Sequence, residues 1–201
     1  MALWLRIVFF FSGATALVYQ IVWQRALFAL YGLDITSVTM VVTAFMLGLG
    51  AGSALGGAIS RARPAAALPV FGAAEIGIGI FGYLSLGLFD SVARITGVIG
   101  HLTTGLVAFL LLLLPTTLMG ASLPLLVGHA VSRSGNVGRS VGTLYFVNTL
   151  GASAGAYVSV RALLPALGLS GAVTASACLN VVLGAAVVVG TRLGDVRRRR
   201  E

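Results

Sequence analysis

Glu75 is the residue in this sequence best placed to do chemistry, because it is a carboxylate in the middle of a long apolar stretch, 66–89. A charge at such a position costs about 3 kcal/mol on membrane-insertion scales. Helical spacing puts Glu75 on one face with Gly72, Gly79 and Gly82, so we expect it to face neighbouring helices. A buried carboxylate stays protonated, pairs with a cation, or handles a proton or a cationic ligand. A structural hydrogen bond made by the neutral acid is the alternative.

Four other polar side chains are candidates to complete a polar site around this carboxylate. Asn148 shares a helix face with Tyr145 in the fifth apolar stretch, and Gln20 lies beside Tyr19 in the first. For each residue alone, an interhelical hydrogen bond is the favoured interpretation, and such bonds contribute less than about 1 kcal/mol on average. Together with Glu75, the four residues form the predicted intramembrane polar site.

No pattern of residues predicts catalysis, a metal site or a cofactor. The sequence contains no H-E-x-x-H zinc motif, no G-x-S-x-G nucleophile motif and no glycine loop after a strand. His101 and His129 lie near opposite ends of one apolar stretch, too far apart to share a metal ion. We therefore expect no catalytic residues, no metal and no cofactor.

The composition indicates a chain whose solvent is mostly lipid. Hydrophobic residues make up 58% of 201, charged residues only 9%, and the mean hydropathy is +1.04, whereas a soluble domain carries about a quarter charged residues. Apolar stretches near the roughly 20 residues of a membrane helix follow one another along the chain. The predicted fold is an all-α integral membrane bundle over 1–192 with a basic tail, 193–201. Its six predicted helices are 4–28, 36–60, 66–89, 101–130, 140–165 and 168–191.

The basic residues predict topology rather than nucleic-acid binding. All thirteen are arginine, and they lie at the ends of apolar stretches and in the tail Arg197, Arg198, Arg199, Arg200. With the N-terminus inside, only Arg25, Arg94 and Arg161 lie outside, against ten on the cytoplasmic side. We expect a multi-pass membrane protein with both termini cytoplasmic and an uncleaved first helix. The tail is expected to contact lipid or a protein partner, and Trp4 and Trp23 to anchor the membrane interface.

Small residues spaced by four predict close helix packing. Gly48, Gly52 and Gly56 form a doubled G-x-x-x-G motif, and Gly151 and Gly155 form another. Glycines at this spacing share one helix face and let a neighbouring backbone approach. Static packing is favoured over a moving interface.

The fourth apolar stretch holds Pro115 and Pro124, which predict a kinked helix. The hydroxyl groups of Thr116 and Thr117 could satisfy carbonyl groups that the first proline leaves free. A weak internal similarity also relates the region 13–52 to the region 120–155. A repeat of three helices would be inverted in the membrane, as within each half of the major facilitator transporters.

Several segments resemble the membrane region of the bacterial spermidine synthase-like transmembrane proteins. The resemblance implies a major-facilitator-like half of about six helices in a bacterial inner membrane. In that family the helices are joined to a cytosolic aminopropyltransferase-like domain, which this sequence lacks, so polyamine synthesis is not implied. The sequence departs from the family at Gln20, where an acid is frequent, and from major facilitators at Ser60, where aspartate is usual. The matching segments are FSGA at 11–14, VYQIVWQR at 18–25, AFMLGL at 44–49, LPTTLMGASLP at 114–124, NTLG at 148–151 and LPALG at 164–168.

These observations lead to two functional expectations. The first is a non-catalytic membrane module that works with a protein partner, as the anchor or subunit of a soluble enzyme or of a larger membrane complex. The alternative is a small transporter-like protein that acts as a dimer on a small cationic or proton-coupled solute, with Glu75 as the central group. An enzymatic role has no residues to support it.

Overall fold

The computed structural model describes residues 3–31, 34–96 and 101–198, and they are almost entirely helical. No strand occurs in these ranges, so the all-α prediction is confirmed. A short 3-10 turn (Pro64–Ala66) precedes the third helix, and a π-helical turn (Ser159–Leu163) joins the fifth to the sixth. The helices are α1 (Leu3–Tyr31), α2 (Asp34–Ala62), α3 (Ala67–Thr96), α4 (His101–Ser134), α5 (Val137–Val158) and α6 (Leu164–Arg198).

The number of separate apolar helical segments in the described ranges is five, not the six that the sequence predicted. Four correspond to α1 to α4, and the fifth runs without interruption over Val137–Leu193. It contains both of the last two predicted stretches, 140–165 and 168–191. The physical reason is that no loop separates them, because α5 passes through the π-helical turn directly into α6. Only Gly168 departs from helical geometry there.

The two parts of this fifth segment nevertheless pack in opposite directions. Helix α5 runs parallel to α1, and α3 also runs parallel to α1, whereas α6 runs antiparallel to α3. The chain therefore changes direction near Gly168. The pairs that fix these directions are Phe10 with Gly151, Ala14 with Gly155, Ser12 with Glu75, Trp23 with Ser85, Gly72 with Gly184, and Gly79 with Ala177.

Replacing Gly168 with alanine should destabilise the bundle by about 1–3 kcal/mol. Its backbone has φ 66° and ψ −171°, a region that essentially only glycine occupies. Gly142→Ala is the matched control, since Gly142 is helical and a Cβ there would meet nothing within 4 Å. Thermal unfolding in detergent measures the effect, and equal melting temperatures for the two variants would contradict it.

Two clusters of buried apolar side chains fill the bundle. One contains Phe9, Phe71 and Leu125, and the other contains Trp23 and Phe81. Along α1, α3 and α6, buried polar residues fall between the two clusters, which leaves these polar groups remote from both ends of the bundle. We call them, together with Ser122 of α4, the polar layer, which consists of Ser12, Thr15, Glu75, Ser122 and Asn180.

Large apolar side chains cover much of the outer surface. Leu3, Met46 and Tyr83 are each more than 60% exposed. Soluble monomers rarely present extended apolar surface, because water disfavours it. Five helical segments are long and apolar enough to cross a membrane, and together with this surface they fit a membrane protein.

Trp23 does not lie at an interface, and the prediction that it is an anchor was wrong. Its side chain is fully buried, its ring stacks on Tyr19 with centroids 5.1 Å apart, and its Nε1 donates to Ser85 Oγ at 2.9 Å. Position near a helix end does not distinguish an anchor from a core residue. Trp4, in contrast, is 40% exposed.

Quenching by brominated lipid should therefore separate the two tryptophans. In Trp23→Phe the remaining Trp4 should be strongly quenched, because it lies on the outer surface. In Trp4→Phe the remaining Trp23 should be quenched far less, because protein surrounds it. Equal quenching of both variants in the same vesicles would place Trp23 on the surface and contradict the packing described here.

The G-x-x-x-G glycines of α2 lie against α4. A Cβ on Gly48, Gly52 or Gly56 would collide with atoms of Thr116, Thr117 or Ala121, respectively. Gly151 and Gly155 of α5 lie in the same way against the backbone of α1, at Phe10 and Ala14. Both interfaces bring helix backbones close together, as small residues permit.

Helix α4 continues through both Pro115 and Pro124. The Thr116 hydroxyl donates to the carbonyl oxygen of Leu112 at 2.7 Å and lies 3.3 Å from that of Ala44 on α2. Thr116 thus supports the backbone next to the first proline and also ties α4 to α2.

Candidate functional site

A cavity of about 240 Å³ lies inside the bundle, and every helix contributes to its wall. The wall combines apolar side chains with hydroxyl and amide groups, a combination typical of sites that hold small molecules. It includes three members of the polar layer that also surround Glu75. The lining residues are Phe9, Ser12, Thr15, Ala16, Leu49, Ser53, Ile78, Met119, Gly120, Ser122, Leu123, Tyr145, Asn148 and Asn180.

Glu75 lies directly behind this wall, and it is fully buried. Ser12 Oγ donates to Glu75 Oε1 at 2.6 Å, and Asn180 Nδ2 donates to Oε2 at 2.7 Å. The Ser122 hydroxyl lies close to the same carboxylate. The groups that hold Glu75 therefore come from α1, α4 and α6, and all of them line the cavity.

No cation compensates this carboxylate among the side chains that the structure describes. Among these side chains, the ion pair joins Arg94 to Asp90 at the exposed end of α3, far along the helix from Glu75. The close partners of Glu75 are neutral donors, and a buried charge with neutral partners alone is costly. The arrangement suits either the neutral acid or a carboxylate that receives a cation from the cavity.

Asn180 has an unsatisfied acceptor. Its Nδ2 is used by Glu75, whereas its Oδ1 is buried and has no hydrogen-bond partner in the protein. An unmade hydrogen bond of this kind costs about 1–3 kcal/mol. Asn180 lines the cavity, although its Oδ1 is itself enclosed by protein atoms.

The structure brings some of the predicted site residues to the cavity and leaves others away from it. Asn148 and Tyr145 line it, and Glu75 stands behind the wall. Tyr19 packs instead in the aromatic cluster beside Gly82, and its buried hydroxyl has no partner. Gln20 is half-buried and does not contribute to the wall.

Sequence reasoning missed Ser12, Ser122 and Asn180. Asn180 carries the same signal as Glu75, since it is a strongly polar side chain inside an apolar stretch. Ser12 and Ser122 carry little signal, because a serine in a membrane helix commonly bonds to its own backbone. Ser122 does so here, with Oγ 3.3 Å from the carbonyl oxygen of Leu118.

The side chains of Arg197, Arg198, Arg199 and Arg200 lie outside the described residues. Within the part of the chain that is described, no group of three or more His, Cys, Asp or Glu side chains comes together as metal ligands would.

The fold and the site together define a bundle of long apolar helices that fits a membrane protein, with a cavity between the helices whose mainly apolar wall carries hydroxyl and amide groups. The chain is similar to Polyamine aminopropyltransferase 2 of Streptomyces coelicolor, with 33% identity over 198 residues. The match covers 94% of this chain and 34% of the relative, so the chain spans about a third of that enzyme's length. This is consistent with a fragment related to spermidine synthase. No family model matches the chain, and no solved structure matches it either.

Proposed function

We propose that the bundle binds a small cationic or proton-coupled solute in its central cavity and moves it across the membrane. The observation that carries this proposal is the buried Glu75 carboxylate, held by Ser12 and Asn180 of the cavity wall without a cation beside it. A positively charged group entering the cavity supplies the missing charge. When no such group is bound, a proton on Glu75 neutralises the carboxylate instead.

The name of the relative supports one class of solute. Polyamines are linear chains that carry ammonium groups, and a carboxylate beside hydroxyl and amide oxygens suits such a group. A protein similar to part of a polyamine aminopropyltransferase would meet polyamines in its cell. The proposed solute is therefore a small linear amine.

A transporter-like role also favours an internal two-fold arrangement, and we include a 3+3 inverted repeat in the proposal. Under an offset of 105 residues, Glu75 corresponds to Asn180, Gly79 to Gly184, and position 72 to position 177. The same offset converts the contact between Gly72 and Gly184 into the contact between Ala177 and Gly79. A hydrogen bond between residues 75 and 180 would lie on the axis. Two such chains would form the two halves of a major-facilitator-like dimer.

Uptake into proteoliposomes tests the proposal. Vesicles that contain the purified protein should accumulate radiolabelled 1,4-diaminobutane faster than empty vesicles when the interior is acidic, because protons leave as amine enters. Vesicles with the protein but without a pH gradient are the control for leakage. Accumulation equal to that of empty vesicles under both conditions would count against transport of this amine class.

A second candidate function is a non-catalytic membrane module that works with an enzyme. It is favoured by the match itself, which leaves about two thirds of the aminopropyltransferase outside the aligned region. The enzymatic part would lie on the same polypeptide or on a separate one. Native mass spectrometry of the protein, gently extracted from its own membrane, should then detect an additional enzyme mass. A homodimer alone would favour the transporter over the module.

We propose that both termini lie in the cytoplasm, which the arginine distribution supports. Reporter fusions at each end measure this directly. Alkaline phosphatase should be inactive and a fluorescent protein should be bright at both ends, and the opposite pattern at either end would overturn the proposed orientation.

A further inference from the structure

Arg6 carries a charge that no side chain in the described part of the protein neutralises. It lies inside the first apolar segment, Leu3–Ala29, one turn before Phe10 on the face of α1 that packs against α5. Its Nε is enclosed by protein and has no hydrogen-bond partner, although the residue as a whole is only half-buried. The base of the guanidinium group is therefore held in the protein, and its two terminal nitrogens reach the surface.

The end of the bundle that contains Arg6 is strongly basic. Among the described side chains, no carboxylate lies there, because Glu75 is inside the bundle and Asp90 is paired with Arg94 at the opposite end. Arginine does not lose its proton in proteins, so the neutralising anion for Arg6 must come from outside these side chains. The other arginines exposed at the same end are Arg61, Arg63, Arg139 and Arg192.

The surface of α1 next to Arg6 is apolar. Ile7 and Phe11 are both exposed, and they lie one turn apart on one helix face. They form an apolar strip that begins beside Arg6 and runs toward the middle of the bundle. A phospholipid has the same arrangement, since its phosphate lies at the membrane surface and its acyl chains extend inward. A soluble phosphate has no group that would cover the strip.

We infer that Arg6 binds the phosphate group of an anionic phospholipid, whose acyl chain lies along Ile7 and Phe11. The terminal nitrogens of a guanidinium group can donate in parallel to two phosphate oxygens. A zwitterionic phospholipid also brings an ammonium group, which the basic end of the bundle repels, whereas an anionic one brings net negative charge. This site is separate from the central cavity, and the inference does not rest on the proposed function.

Native mass spectrometry with added lipid tests the inference on the detergent-solubilised protein. The wild type should retain phosphatidylglycerol in preference to phosphatidylcholine with the same acyl chains. Arg6→Gln should bind phosphatidylglycerol about 10- to 100-fold more weakly, as expected for the loss of hydrogen bonds between charged groups. Arg63→Gln is the matched control, because it removes the same charge from an exposed position at the same end, and it should bind nearly as the wild type does.

Three results would overturn the site. They are equal binding of phosphatidylglycerol by Arg6→Gln and the wild type, an equal loss in Arg6→Gln and Arg63→Gln, and displacement of the lipid by an equimolar amount of glycerol 3-phosphate. The last would identify a soluble phosphate as the ligand. If Arg6→Gln does not fold, Arg6→Lys keeps the charge but cannot form the paired hydrogen bonds, and wild-type affinity in that variant would contradict the inference.

Discussion

Replacing Glu75 with glutamine is expected to lower the affinity for a small amine by a factor of about 30 to several thousand. Removing one partner of a buried charge pair costs about 2–5 kcal/mol, which corresponds to that factor. Glutamine has nearly the same shape as glutamate and can still exchange hydrogen bonds with Ser12 and Asn180. Binding should therefore be lost without loss of the fold.

The control for this substitution is the stability of the bundle. Glu75→Gln and Ser85→Ala should both remain folded in detergent, and Ser85→Ala should keep wild-type amine affinity because Ser85 bonds to Trp23 away from the cavity. Uptake by Glu75→Gln at the full rate and with unaltered pH dependence would remove Glu75 from the mechanism.

The second large effect is expected at Gly52 on α2. A Cβ on this residue would overlap the carbonyl oxygen of Thr117 on α4, and a backbone atom cannot move aside as the end of a side chain can. Gly52→Ala should therefore force α2 and α4 apart and destabilise the protein by about 3 kcal/mol, the upper part of the usual range for overpacking.

Gly50→Ala is the matched control for Gly52→Ala, because Gly50 lies on the same helix and a Cβ there would meet nothing within 4 Å. Unfolding in mixed micelles of increasing denaturing detergent measures both variants. We expect Gly50→Ala to unfold at the same fraction of denaturing detergent as the wild type, and Gly52→Ala to unfold at a much lower fraction. Coincident transitions for all three proteins would show that the α2–α4 contact is not tight.

The features that depend on one helix at a time could be predicted from the sequence. The apolar stretches predicted the all-α fold, since a chain with so few charges cannot cover a surface in water. The glycine spacing indicated which face of α2 a neighbouring backbone approaches. A carboxylate inside an apolar stretch is too costly to face lipid, which is why Glu75 could be expected inside the bundle.

The features that depend on which helices meet could not be predicted. Ser12 is 63 residues from Glu75 in the sequence and Asn180 is 105 residues from it, and nothing local relates them. The sequence predicted a loop between α5 and α6 because glycine at position 168 is a typical loop signal. In the structure no loop is needed, because the chain changes direction at this single residue. Trp23 was misplaced because an indole ring suits both an interface and a core.

The most direct measurement is the carbon-13 NMR signal of glutamate side-chain carboxyl groups in the protein embedded in nanodiscs. The chain has two glutamates, Glu75 and Glu201, so selective labelling gives two signals, and Glu75→Gln assigns them. If the cavity binds an amine at Glu75, adding 1,4-diaminobutane should shift the Glu75 signal and leave that of Glu201, in the tail, nearly unchanged. An unmoved Glu75 signal at saturating amine would contradict the cation site.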